Sequence, residues 1–150
     1  MATFNKIQDF VEQLGLARHD LSSQTLKVAL NRSDAAAGAG SAVTASDTVL
    51  ANIVQPTGTG YTAGGIDTLN TFAEAAGTAT LTGTKAVWTA GAADWQSFRY
   101  VVLYNDDTVT PTDQLIGWWD YASDLTLGNG ETFSWKPNNS DTTGTILTLA

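Results

Sequence analysis

The sequence predicts a mainly β domain, a β-sandwich or flattened barrel, with one N-terminal amphipathic α-helix. Three observations carry this. Residues 98–105 (FRYVVLYN) and 115–121 (LIGWWDY) are apolar or aromatic at consecutive positions and are joined by a polar turn. A strand that is apolar on both faces must be covered on both faces, so this hairpin is either the centre of a sandwich or a surface that another chain covers. Short alternating segments separated by Gly, Asn and Pro then recur along the C-terminal two-thirds, as they do in sandwiches and barrels. Finally, only residues 4–14 carry a clear helical period.

In that stretch Phe4, Ile7, Phe10, Val11 and Leu14 recur at three- and four-residue spacings, with Asn5, Lys6, Gln8, Asp9, Glu12 and Gln13 opposite. A three-turn amphipathic helix is expected, with Thr3 as N-cap and Gly15 as its stop. Residues 25–30 alternate and read as a strand. Residues 31–46 are small and polar and read as a flexible loop. Ser46-Asp47-Thr48 can cap a short helical turn through Val49, Leu50 and Ile53. Residues 56–65 carry the turn signals Thr57-Gly58-Thr59-Gly60 and Gly64-Gly65.

The β core is expected over 66–135. Residues 71–75 fit strand or helix, and residues 78–82 and 85–89 read as short strands around Gly83-Thr84. The aromatic hairpin follows. Residues 125–127 and 131–135 flank Gly128-Asn129-Gly130, a strong turn signal. Residues 137–144 read as a loop and 145–149 as a terminal strand.

The 150 residues fit one domain, 1–150. That length buries roughly 70% of the unfolded surface, so neither metal nor disulfide is needed for folding. There is no cysteine, which removes disulfides, zinc-thiolate sites and thiol nucleophiles. Charged residues make up 15%, against about 25% in an average soluble domain. The net charge is −8, and after position 90 only Arg99 and Lys136 are basic. Direct nucleic-acid binding needs Lys and Arg against phosphate, and binding to an anionic membrane needs a similar surface, so neither is expected. No apolar run approaches the ~20 residues of a membrane span. The start MATFNK lacks an apolar segment behind basic residues, so no secretory signal is expected and synthesis is placed in a cytoplasm.

Several segments form a recognisable ordered set: FNKIQDFVEQLG (4–15), HDL (19–21), LKV (26–28), GYTAGG (60–65), FRYVVLYN (98–105), LIGWWDY (115–121) and GETF (130–133). The set resembles a family of small structural proteins of tailed bacteriophages, encoded among the head and tail morphogenesis genes. The resemblance covers most of the chain and includes no catalytic motif. Residues 31–46 and 137–144 match no pattern. The role it implies is a capsid decoration (cement) protein on the virion head surface, with the major capsid protein and further copies of itself as partners. A trimer on local three-fold positions follows by analogy. A tail, neck or fibre component, in which the aromatic hairpin contacts carbohydrate, is the alternative.

No arrangement of residues calls for catalysis, and neither cofactor nor metal is expected. His19 is the only histidine; with no second histidine and no serine elbow beside it, a role in the link after the helix is preferred. Asp106, Asp107 and Asp113 lie in the hairpin turn. Their spacing departs from an EF-hand loop, and turn chemistry is the simpler reading; Asp120 and Asp124 read the same way. The glycines at 38–40 and 57–65 lack the Gly-Lys-Ser/Thr of a phosphate loop. Arg99 sits in an apolar strand, where burial would demand a carboxylate from Asp94, Asp120 or Asp124; a solvent-facing pleat fits equally well.

Trp118 and Trp119 are adjacent, so on a regular strand they point to opposite faces and cannot share one core. One must meet a helix, a loop or another subunit. The expected subunit or capsid interface therefore comprises Phe4, Ile7, Phe10 and Val11 of the helix, together with Trp95, Trp118 and Trp119.

Overall fold

The computed structural model describes residues 2–32 and 42–150. The chain is mainly β, sandwich-like, and built from three open sheets. Its strands are β1 (Phe4–Lys6), β2 (Leu26–Asn31), β3 (Ile66–Asp67), β4 (Thr71–Ala75) and β5 (Thr78–Thr84), then β6 (Ala86–Thr89), β7 (Phe98–Val109), β8 (Thr112–Leu125), β9 (Thr132–Trp135) and β10 (Thr143–Leu149). One helix, α1 (Phe10–Gly15), follows β1. The main sheet has the order β1-β8-β7-β2-β3, the second β10-β5-β4, and the third pairs β6 with β9. None closes into a barrel, which corrects the flattened-barrel alternative.

The hairpin predicted from its two-faced apolar pattern is the centre of the main sheet. Val101, Val102 and Leu103 are successive, point to alternate faces and are all fully buried. On one face β9 supplies the cover: Trp135 meets Trp119 edge-on at 4.9 Å, and Phe133 meets Phe98 at 5.0 Å. Leu81 of β5 and Ile146 of β10 belong to the same buried cluster. On the other face the loop at 55–65 reaches Tyr104, and it runs along the edge of β2. The Tyr104 hydroxyl donates to the Gly64 carbonyl at 2.6 Å, the Leu30 amide donates to the Tyr61 hydroxyl at 3.2 Å, and Tyr61 donates to Gln55 Oε1 at 2.7 Å. Gly65 sits where only glycine fits, with φ at +75° and a notional Cβ 1.9 Å from the Val28 carbonyl oxygen.

The N-terminal helix is much shorter than expected over 4–14. Phe4–Lys6 is a strand, registered as Phe4↔Trp119, Asn5↔Trp118 and Lys6↔Gly117. Without it, the outer edge of β8 would leave buried backbone groups unpaired, and strand pairing satisfies them where a first helical turn would not. Gly117 permits the close approach, because a side chain there would strike the Phe4 ring. Thr3 consequently caps nothing helical; Asp9 precedes α1. Gly15 is the last helical residue, and the left-handed residue that ends the segment is Ala17, φ +55°.

Other boundaries moved for local reasons. The turn 128–131 forms, with Glu131 N–H donating to Gly128 O at 2.9 Å, but it does not close a hairpin, because β9 pairs with β6. Gly83 lies inside β5 rather than in a turn. It leaves room for Ile146 and Thr68, whose atoms would lie 2.8 and 3.2 Å from an added Cβ. The short helical turn appears at Leu50–Asn52, capped by Asn52 Oδ1, which accepts from the Thr48 and Val49 amides at 3.1 Å. Of the loop expected at 31–46, residues 33–41 lie outside the described residues, Asn31 ends β2, and Thr44 to Asp47 form a turn closed by Asp47.

Candidate functional site

Of the seven residues expected at an interface, the fold buries four within its own chain. Ile7 and Phe10 sit in the core, as do Trp95 and Trp119. Trp95 donates from Nε1 to the Thr59 carbonyl at 2.9 Å and packs edge-on against Tyr61, so it anchors the covering loop. Phe4 and Trp118 are half-buried and Val11 is exposed. The two adjacent tryptophans do take opposite faces. Trp119 packs between Phe4 and Trp135, while Trp118 lies on the other face in the row of Asn5 and Val102.

The partly open aromatic surface is a cleft of about 500 Å³ between the free edges of two sheets. Among the described residues, strand β1 ends the main sheet and β10 ends the second, and each has a neighbour on one side only. Phe4 lies on one wall, Ile146 and Leu147 on the other, and Trp119, Tyr121 and Trp135 complete the apolar lining. Sequence reading named Phe4 and Trp119 but missed Tyr121, Ile146 and Leu147. The signal for the last two was available, since a terminal strand with consecutive apolar residues has two faces to cover.

Burial pushes the Tyr121 hydroxyl up to about 12, so it is neutral at physiological pH. Lys136 at the rim pairs with Asp141 at 2.5 Å and holds that carboxyl below its ordinary range. The lining residues include no histidine or carboxylate that could act as a general base. Free strand edges can supply backbone hydrogen bonds to an extended segment, and the aromatic lining can bury apolar side chains.

The other polar candidates are held by near neighbours. Arg99 makes a two-point contact with Asp120, Nε to Oδ1 at 2.7 Å and Nη2 to Oδ2 at 2.9 Å, with both side chains about one-third exposed. This draws Asp120 below the usual carboxylate range. The strand arginine therefore has a carboxylate partner and also reaches solvent. Asp106 pairs with Lys27 at 2.6 Å, and Asp107 accepts from the Thr25 amide at 2.5 Å. These contacts fasten the hairpin end to β2. His19 lies in the link after the helix and bonds a side chain, Asn105.

Comparison with known proteins gives no further guide: no family model, no curated protein and no solved structure matches this chain.

Proposed function

We propose that this chain is a structural protein of a tailed-phage particle, a capsid decoration protein that binds the major capsid protein on the head surface and reinforces the lattice. The observation that supports this most is the edge-strand cleft, where Phe4 and Trp119 meet Ile146 and Leu147 between two unpaired strand edges. A cohesive part needs apolar area and hydrogen-bonding edges that a neighbouring chain can complete. Many copies on a lattice then act together, so each contact can be weak. An acidic surface, net charge −8, keeps free copies apart before assembly. Self-association as a closed ring, a trimer by analogy, belongs to the same reading.

The test mixes purified protein with undecorated heads and measures sedimentation with the particles. Binding is expected at hundreds of copies per head. Leu147→Asp places a charge in the cleft and should weaken binding at least tenfold, about 1.4 kcal/mol, while the protein stays folded. Wild-type protein that fails to sediment with heads sinks the decoration reading. A few to some tens of copies per particle on a stained gel would move the protein to the tail, neck or fibre. Unchanged binding by the Leu147 variant would remove the cleft from the interface.

A further inference from the structure

We propose that His19 is an acid-sensitive latch: protonation of its Nδ1 releases residues 10–24 from the end of the β7–β8 hairpin while the sheets remain folded. This inference does not depend on the decoration reading.

His19 is 4% exposed, and Asn105 is fully buried beside it. The Asp107 amide donates to Asn105 Oδ1 at 3.1 Å, which fixes the orientation of that side-chain amide. Asn105 Nδ2 therefore faces outward with two hydrogens. One goes to Gln24 Oε1 at 2.7 Å and the other to His19 Nδ1 at 3.1 Å. Gln24 is fixed in turn, because its Oε1 also accepts from the Asp20 amide at 2.6 Å. The chain of bonds thus runs between two backbone N–H groups that cannot reverse, and the only role left for His19 Nδ1 is acceptor. The imidazole is locked as the neutral Nε2–H tautomer.

A second proton on the ring would set Nδ1–H against the Asn105 amide hydrogen. Turning Asn105 over would set its nitrogen against the Asp107 N–H and its oxygen against Gln24 Oε1. Turning Gln24 as well would set its nitrogen against the Asp20 N–H. Every rearrangement leaves a donor facing a donor, at the buried His19–Asn105 contact or at the amides of Asp107 and Asp20, and separation of the segment relieves them all.

The same contacts help dock the segment, beside the buried Phe10 and Leu21 side chains and the bonds from Asn70 Nδ2 to the Leu21 and Gln24 carbonyls. His19 packs against Phe10 of α1, ring centroids 5.3 Å apart, and Arg18 Nη1 donates to the Thr110 carbonyl at the hairpin turn. The charged groups on the surrounding elements are Asp9 and Glu12 at α1, Arg18 and Asp20 on the link, Asp106 and Asp107 on β7, and Asp113 on β8. Burial pushes His19 down to about 4, opposed in part by the Asp9 carboxylate. The folded value lies below the unfolded 6.5. Docking is therefore at full strength above pH 6.5, weakens as pH falls from there to 4, and changes no further through this group below 4.

Amide hydrogen exchange of the full chain between pH 7 and 4 tests this. Protection factors for residues 10–24 should fall about 100-fold across that range, while those of Val101, Val102 and Leu103 hold. In His19→Gln, which cannot take up the proton, the profile should be flat. Nitrogen NMR of the single imidazole checks the wild type independently and should show an unprotonated Nδ1 that titrates near 4. An imidazole titrating near 6.5 overturns the proposal. So does a protection profile that is flat in the wild type, one that falls in step with residues 101–103, or one that is unchanged in the variant.

Discussion

The β7–β8 hairpin and the stretch 4–14 carry similar apolar content and meet different ends. In the hairpin, consecutive apolar residues are covered on both faces by the same chain: β9 lies on one side and the loop at 55–65 reaches Tyr104 on the other. In the N-terminal stretch the apolar residues are divided among roles. Phe4 extends a sheet edge, Ile7 and Phe10 enter the core, and Val11 stays 52% exposed. Two-sided apolarity in a chain of this size is thus first an instruction for internal layering. The apolar surface left partly open lies where the layers stop, at the edges of β1 and β10.

Removing cover from the hairpin should have the largest effect on stability. Trp135 is 1% exposed and lies against Trp119. Trp135→Ala should cost about 3–5 kcal/mol, since no neighbour can fill the space. Leu14→Ala, at the half-buried end of α1, should cost less than half of that, with urea unfolding as the measure for both. Equal costs would mean that the N-terminal segment is as integral to the core as the hairpin.

The covering loop offers the next test. Gly65 and Gly77 both have positive φ, +75° and +84°, but only Gly65 presses on a strand. Gly77→Ala should cost about 1 kcal/mol, the strain of the left-handed backbone alone. Gly65→Ala adds a collision with the Val28 carbonyl and should cost at least about 3 kcal/mol. A similar loss at both positions would show that the loop yields freely, and that the second face of the hairpin is less firmly covered than its buried residues imply.

These residues also mark how far the sequence could be read. The hairpin, β2, β10 and the opposed directions of Trp118 and Trp119 were legible, because strand alternation is a local rule. Partner choice was not. The signal Gly128-Asn129-Gly130 gave a correct turn but not the partner of the strand that follows it, since β9 finds β6, some 45 residues earlier. Residues 4–6 have a helical period, yet they form a strand because the edge of β8 needs hydrogen-bond partners. The role of 55–65 as a lid rests on Gln55 accepting from Tyr61 and Gly64, and on the Gly64 carbonyl accepting from Tyr104, contacts that no periodicity announces. Half of the candidate site was likewise hidden: Phe4 and Trp119 stood out as aromatics, whereas Ile146 and Leu147 become relevant only once β10 is known to be an edge.

The smallest expected effect on stability is also the most direct probe of cohesion. Val11 and Leu16 are 52% and 57% exposed on and just after α1. Val11→Ser and Leu16→Ser should each change unfolding free energy by no more than about 0.5 kcal/mol, because neither side chain fills internal space. If the face of α1 meets a neighbouring chain in the particle, the same substitutions should reduce sedimentation with undecorated heads while the melting curve stays in place. If binding is unaffected and only Leu147→Asp weakens it, the sheet edges carry the contact and α1 is merely a connector. A melting curve shifted as far as that of Leu14→Ala would put the exposed side of α1 under cover in the free protein, and the contrast between the two regions would be lost.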